Sequence, residues 1–266
     1  MYYFASDIHL GLKVGQTHAT RERLFVRWLD EVSADAEAIF LVGDVFDFWY
    51  EYRRVVPKGF TRLLGKLSEL TDRGVAVHFF PGNHDLWAFD YLQTECGVVL
   101  HRADYEILAL AGKRVFIGHG DVFGKRGRGG RLLSRVFRSR AIQWVFSTFV
   151  HPNAAMRFGH WWSGSNRKAK PIRHAFRGAE EPIVRFASDF LKEHPGIDLF
   201  VCAYSLRGDR SARGRQPDRI PRRVDRPPHL RQTGSKRIYA EQLSDNIITT
   251  CNNISTCSAI SRPAAP

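Results

Sequence analysis

The 266-residue sequence lacks several features that would place it in other classes of protein. No run of about eighteen apolar residues is present, so we expect no membrane-spanning helix. The N-terminus lacks the basic and then apolar stretch of a secretory signal, which predicts a cytoplasmic protein. The four cysteines are too few and too scattered for a disulfide framework. At 44% hydrophobic residues, the length and composition fit one large α/β domain, or one domain with an insertion.

Acidic residues are missing from one long segment, which shapes the net charge of +13. Residues 124–179 hold 13 Lys and Arg and no Asp or Glu, while the rest of 1–202 has a net charge of −7. Residues 203–266 carry a further net charge of +7. A basic protein suggests nucleic-acid or anionic-membrane binding. Because the core itself is acidic, we expect no nucleic-acid partner.

Short apolar runs alternate with segments of helical periodicity. The predicted strands are 2–6, 38–42, 75–80, 106–110, 114–117 and 199–202. The predicted helices are 20–34, 60–70 and 182–193. This alternation indicates βαβ units and a largely parallel central layer, and therefore the α/β class.

Polar clusters follow four of the predicted strands. They are Asp7-Ile8-His9, Gly43-Asp44, Gly82-Asn83-His84-Asp85 and Gly118-His119-Gly120-Asp121. Open α/β sheets bind ligands at the carboxyl ends of their strands, so we expect the four clusters to converge. Carboxylate and imidazole groups together favour Mn²⁺, Fe or Zn²⁺ over Ca²⁺. Two such ions sharing a carboxylate can activate water against a phosphorus centre.

In their order and spacing, these motifs resemble those of calcineurin-like metallophosphoesterases, over residues 1–202. Two longer motifs, Phe46-Asp47-Phe48-Trp49 and Asn83-His84-Asp85-Leu86-Trp87, resemble those of UDP-2,3-diacylglucosamine hydrolases, the enzymes of lipid A synthesis in Gram-negative bacteria. The proteobacterial pattern has Arg where His84 stands, so the similarity is to a divergent branch. The resemblance implies a β-sandwich flanked by helices, with a helical lid insertion over 124–179 and an irregular C-terminal tail.

The resemblance also implies a ligand set for two divalent metal ions, which we expect to be Mn²⁺. Asp7 and His9 would bind the first ion, and Asn83 and His119 the second. Asp44 would bridge the two ions.

Further roles follow from the same motifs. His84 would contact the phosphate or protonate the leaving group, and Asp85 would orient His84. Asp47 and Asp121 are either turn residues or supporting residues of the site.

The basic insertion interleaves its positive charges with Trp and Phe residues. This mixture suits an anionic membrane surface, which predicts a peripheral location on the inner membrane. It equally suits a lid that holds the acylated UDP-sugar, or a helical subdomain that packs its aromatic residues on the core. The candidate substrate contacts are Arg126, Arg128, Asn166 and Lys170.

The chain departs from the family after Cys202. The family has Gly-His-x-His there, with both histidines as metal ligands, whereas this chain reads Ala203-Tyr204-Ser205-Leu206. A codon set for these residues, GCA TAC TCA TTG, reads His-Thr-His when it is shifted by one nucleotide. The same shift over 224–234 allows Trp-Ile-Asp-His-His-Thr-Tyr, which resembles the family's C-terminal region. We therefore predict a core over 1–202 and a frameshifted tail over 203–266, with a natural disordered tail as the alternative.

The predicted reaction is hydrolysis of UDP-2,3-diacylglucosamine to UMP and 2,3-diacylglucosamine 1-phosphate. The chain as written would be impaired by the missing ligands. One alternative is another metallophosphoesterase, acting on nucleotides or phosphoproteins. A second is a metal-poor scaffold of the same fold.

Overall fold

The computed structural model describes residues 1–12, 17–123, 135–169, 182–204, 239–244, 247–251 and 256–261. The strands are Tyr2–Ala5 (β1), Ala38–Val42 (β2), Ala76–Phe80 (β3), Val99–Leu100 (β4), Glu106–Leu110 (β5), Lys113–Gly118 (β6), Leu199–Tyr204 (β7), Tyr239–Ser244 (β8), Ile247–Cys251 (β9) and Thr256–Ser261 (β10). The helices are His18–Val32 (α1), Thr61–Asp72 (α2), Tyr91–Cys96 (α3), Arg140–Phe149 (α4), Pro152–Ala169 (α5) and Pro182–Glu193 (α6).

Two sheets form the sandwich that the sequence predicts. The six-stranded sheet has the order β4-β3-β2-β1-β9-β8, and the four-stranded sheet has the order β10-β7-β6-β5. Strands β1 to β4 are parallel, and β6 is parallel to β7. The predicted hairpin is the antiparallel pair β5 and β6.

Strand β2 shows how the layers are assembled, because all five of its side chains are buried. Phe40 and Val42 pack against Val115 and Val201 of the other sheet. Ile39 and Leu41 point to the opposite face, where they join the core formed with α1 and α2. A strand that is covered on both faces needs a continuous apolar run, and this explains the sequence Ala-Ile-Phe-Leu-Val.

Helix α2 follows the predicted pattern, with Leu63, Leu67 and Leu70 buried against the sheet. Its first backbone N–H groups are satisfied by Glu22 of α1, whose carboxylate accepts hydrogen bonds from Arg62 N (3.0 Å) and Leu63 N (3.2 Å). Helix α6 covers the outer face of the second sheet, where Ile183 and Ala187 are buried. The layers are therefore helix, sheet, sheet and helix.

The structure differs from the predicted irregular tail by placing three strands within 203–266. Strand β9 pairs with β1, and β10 pairs with β7, so each covers a sheet edge that would otherwise expose unpaired backbone groups. The β-branched run over 247–250 favours extended chain, although it shows no alternation that the sequence prediction could use.

Candidate metal centre

The carboxyl ends of β1, β2, β3 and β6 lie at one edge of the sandwich and bring the predicted polar clusters together. This edge is called the metal edge. The segments after β1 and β2 are hydrogen-bonded to each other: Asp7 N donates to Gly43 O (3.0 Å) and His9 N donates to Asp44 O (3.0 Å). Asp7, His9 and Asp44 all have left-handed backbone conformations, with φ of 51°, 47° and 54°. This conformation is uncommon for residues other than glycine, and residues under such strain cluster at functional sites.

Two glycines in these motifs are required by close contacts. A Cβ on Gly43 would overlap the ring of His119, and a Cβ on Gly82 would overlap the Asp44 carboxylate. Because Gly43 also has a φ of +77°, a side chain there would be strained as well as crowded. These glycines let the ligands from different strands approach one another.

Asp44 is the centre of the site and is only 4% exposed. Its Oδ2 lies 3.8 Å from His9 Nε2, 3.9 Å from His84 Nε2 and 3.5 Å from His119 Nε2. Two groups of potential ligands share it, one with His9 and His84 and the other with Asp7 and His119. Within each group the ligand atoms lie within 4.8 Å of one another. A carboxylate common to two groups fits the bridging position that the resemblance implies.

The Nδ1 atoms of the three histidines face oxygen atoms. His84 Nδ1 pairs with the Asp47 carbonyl (2.8 Å), and His119 Nδ1 pairs with the Val42 carbonyl (3.0 Å). His9 Nδ1 faces the Asp47 carboxylate at 3.6 Å. The Nδ1 atoms of His84 and His119 are hydrogen-bonded to backbone carbonyls, and in all three rings Nε2 faces Asp44. This is the arrangement that metal-binding histidines adopt in proteins.

The charges of the site reinforce this arrangement. Burial alone would raise the pKa of Asp44, but the neighbouring His119 and His84 outweigh it and hold that pKa well below its usual value. Burial works to lower the pKa of His119, and the Asp44 carboxylate outweighs burial and raises it well above its usual value. Asp44 therefore remains an ionised carboxylate. Oxygen and nitrogen donors of these types fit divalent transition-metal ions.

Asp85 has a different role from the one expected. Rather than orienting His84, its buried carboxylate accepts from the backbone N–H groups of Gly82 (2.6 Å), Val45 (2.8 Å), Asp44 (3.2 Å) and Phe46 (3.3 Å). Burial also raises the pKa of Asp85 to about 7. It joins the β2 and β3 loops, while the partner that the structure gives to His84 Nδ1 is the Asp47 carbonyl rather than Asp85.

The remaining predicted residues lie around this centre or outside the described residues. Asn83 is exposed in the loop between Gly82 and His84. Asp121 lies 3.6 Å from Arg138, just before α4, so it joins the core to the insertion. Arg126, Arg128 and Lys170 lie outside the described residues, as does the side chain of Asn166.

The described part of the insertion, 135–169, is called the lid below, and it contains α4 and α5. It packs on aromatic residues that directly follow the metal motifs. Tyr50 OH donates to Gln143 O (2.9 Å), and Trp87 Nε1 donates to Phe137 O (2.9 Å). The rings of Phe137 and Phe146 also lie against Trp87, so the lid packs part of its aromatic surface on the core, as one of the interpretations predicts.

Sequence reasoning missed two lid residues that reach the metal edge. Ser163 Oγ donates to Asp47 Oδ1 (2.9 Å), and His160 Nδ1 lies 3.9 Å from Asp47 Oδ2. Their spacing of one helical turn was the available signal, but it does not indicate which core residue they face.

Comparison with known proteins defines the class. The family model for calcineurin-like phosphoesterases matches residues 2–203, and the chain belongs to this family. It is therefore a hydrolase that acts on phosphoester or phosphoanhydride bonds, and its family implies divalent metal ions.

Relatives with a specific name are also similar. A UDP-2,3-diacylglucosamine hydrolase of Porphyromonas gingivalis is 36% identical over 212 residues, covering 75% of this chain and 80% of that protein. The Neisseria gonorrhoeae protein with the same name is 32% identical over 145 residues, which cover 54% of this chain and 58% of that protein. Among the described residues, no helix is long and apolar enough to span a membrane.

Proposed function

We propose that this chain is built to hydrolyse UDP-2,3-diacylglucosamine to UMP and 2,3-diacylglucosamine 1-phosphate, a step of lipid A synthesis. The observation that carries the proposal is the Asp44 carboxylate, shared by two ligand groups next to a lid with exposed aromatic residues. The relatives from Porphyromonas and Neisseria carry the name of this activity. Residues 1–202, with the insertion at 124–179, form the catalytic domain in this proposal.

Two divalent ions, for which we propose Mn²⁺, would supply Lewis-acid polarisation of the phosphoryl oxygens. Asp7, His9, Asn83 and His119 would hold them, with Asp44 between them. The proposed role of His84 is to contact the phosphate or to donate a proton to the leaving group. Its Nε2 faces the site, because its Nδ1 is occupied by the Asp47 carbonyl (2.8 Å).

The lid supports the proposed substrate class and location. Its helices expose Trp144 (64%), Phe149 (75%) and Trp161 (63%), in a segment without acidic residues. Aromatic side chains beside positive charges suit the interface of an anionic membrane. We propose that this surface contacts the inner membrane and that the adjacent basic residues, including Arg126, Arg128 and Lys170, contact the acylated UDP-sugar together with Asn166.

We further propose that the chain after Cys202 is the product of a shifted reading frame. Strand β7 runs parallel to β6 with Cys202 opposite Gly118, so the residues after Cys202 emerge beside His119, at the metal edge. The family's Gly-His-x-His would stand at this point, and the family match ends at residue 203. Without those ligands the chain would be a poor hydrolase.

The test is Mn²⁺-dependent release of UMP from the acylated UDP-sugar, by this chain and by a version whose frame is corrected after Cys202. We expect the corrected version to be more than about 100-fold more active, because loss of a ligand exceeds the 10–100-fold effect of losing a supporting residue. Absence of UMP from the corrected version would refute the substrate. Equal, rapid turnover by both versions, or codons that exclude His-Thr-His, would refute the frameshift.

A further inference from the structure

Asp47 stands between the lid and the metal edge. Asp47 is 3% exposed and its lid partner Ser163 is 1% exposed. Asp47 Oδ1 accepts the Ser163 hydroxyl hydrogen bond at 2.9 Å and lies 3.6 Å from His9 Nδ1. On its other side, Oδ2 lies 3.9 Å from His160 Nδ1 of the same lid helix, α5. One carboxylate therefore faces a metal-edge histidine and two residues of the lid.

His9 needs such a partner to bind a cation. Its Nε2 is directed to the carboxylates of Asp7 and Asp44, each at 3.8 Å, so its proton must sit on Nδ1 when Nε2 binds an ion. A carboxylate that faces Nδ1 fixes this tautomer and the orientation of the ring. Asp47 supplies a buried carboxylate that faces Nδ1 at 3.6 Å.

The backbone of Asp47 is fixed by the core. Its N–H donates to Leu10 O (2.8 Å), and its carbonyl holds His84 Nδ1 (2.8 Å). The carboxylate, by contrast, is held from the lid side by the Ser163 hydroxyl. Removal of that hydroxyl would take one hydrogen bond from a buried carboxylate oxygen, and this would weaken the orientation of the carboxylate toward His9.

Helix α5 packs closely enough on the core to orient the Asp47 carboxylate. One turn before Ser163, Gly159 lies against the ring of Phe48, and a Cβ at this glycine would overlap the ring. Phe48 directly follows Asp47 in the chain. A shift of α5 would therefore change the contacts of both residues.

We propose that Asp47 is a positioning residue that couples the packing of α5 on the core to cation binding at His9, through Ser163. The proposal rests on the proposed metal centre but not on the identity of the substrate. Coupling of this kind is reciprocal: packing of the lid on the core strengthens cation binding, and the bound cation stabilises this packing.

The first test is the Mn²⁺ affinity of the full chain, measured by titration calorimetry. We expect Asp47→Asn to weaken binding about 10–100-fold and Ser163→Ala to weaken it about 3–10-fold. The matched control is Thr148→Ala, since the Thr148 hydroxyl donates to Trp144 O within its own lid helix (2.7 Å). Ser163→Ala with wild-type affinity would overturn the coupling.

The second test is hydrogen exchange of the α5 amides with and without Mn²⁺. In the wild type we expect Mn²⁺ to slow exchange across α5, and in Asp47→Asn we expect Mn²⁺ to have no such effect. A merely structural role would lower protection equally with and without the ion, and that result would overturn the proposal.

The two proposals can fail separately. Coupling without release of UMP by the frame-corrected chain would remove the substrate and keep the coupling. Release of UMP with no effect of Ser163→Ala on Mn²⁺ affinity would keep the substrate and remove the coupling. A frame-corrected chain that binds no Mn²⁺ would remove both.

Discussion

The metal edge and the lid distribute polar and apolar groups in opposite ways. The edge buries charged groups, with Asp44 and His119 almost inaccessible, and holds three residues in left-handed conformations. The lid instead exposes large aromatic residues, including Trp144 and Phe149. Burying charge is costly unless it is paired, and exposing large apolar patches is uncommon unless a partner covers them. One region is therefore built to hold small ions in a fixed geometry, and the other to meet an apolar surface.

The largest effect is expected for Asp44→Asn in the frame-corrected chain, which tests the ion-holding role of the metal edge. The amide keeps the shape but removes the charge shared by both ligand groups, so we expect hydrolysis to fall more than about 100-fold. Metal content should fall with it, as measured by elemental analysis of the purified protein. Asp189→Asn, on the exposed surface of α6, is the control and should change neither. An active, metal-loaded Asp44→Asn protein would contradict the bridging role.

The next test addresses the lid through its exposed aromatic residues. Replacing Trp144, Phe149 and Trp161 together by Ser should weaken binding to anionic phospholipid vesicles more than about 30-fold, since each buried aromatic side chain contributes of order 1–3 kcal/mol. Vesicle sedimentation measures the effect, and the Mn²⁺ affinity should be unchanged. Vesicle binding equal to that of the wild type would show that the membrane does not cover this surface.

The smallest expected effect concerns the place where the two regions touch. Gly159→Ala puts a methyl group against the Phe48 ring, so we expect a loss of about 1 kcal/mol in the free energy of unfolding. Gly164→Ala in the same helix has no atom within 4 Å of its new Cβ and should gain up to about 1 kcal/mol from helix propensity.

Denaturant unfolding of the two alanine variants gives the comparison directly. Equal changes in the free energy of unfolding would mean that Gly159 of α5 does not lie against the Phe48 ring.

The sequence carries most of the information on the fold and part of that on the site. Strand β2 is predicted with its observed bounds because a run that is buried on both faces contains no polar residue. Helix α3 has only six residues, too few to show a period, and the sequence prediction misses it. The strands at 239–261 depend on the sheet edges that they cover, which no local pattern reveals.

At the site, the convergence of Asp7 and Asp44 follows from parallel neighbouring strands that end at one edge, and His119 joins them from the second sheet. The approach of His84 Nε2 to within 3.9 Å of Asp44 does not follow from this, because it depends on side-chain direction. The contact between Asp47 and Ser163 joins residues 116 positions apart, and no spacing rule connects them.

The left-handed backbone at Asp7, His9 and Asp44 has a consequence for engineering. Glycine adopts this conformation readily, whereas other residues pay of order 1 kcal/mol or more for it. Glycine at these positions would relax the backbone while it removed the ligands. A selection for heat resistance alone would therefore favour proteins that have lost their chemistry, so a thermostability campaign on this chain should hold these three positions constant.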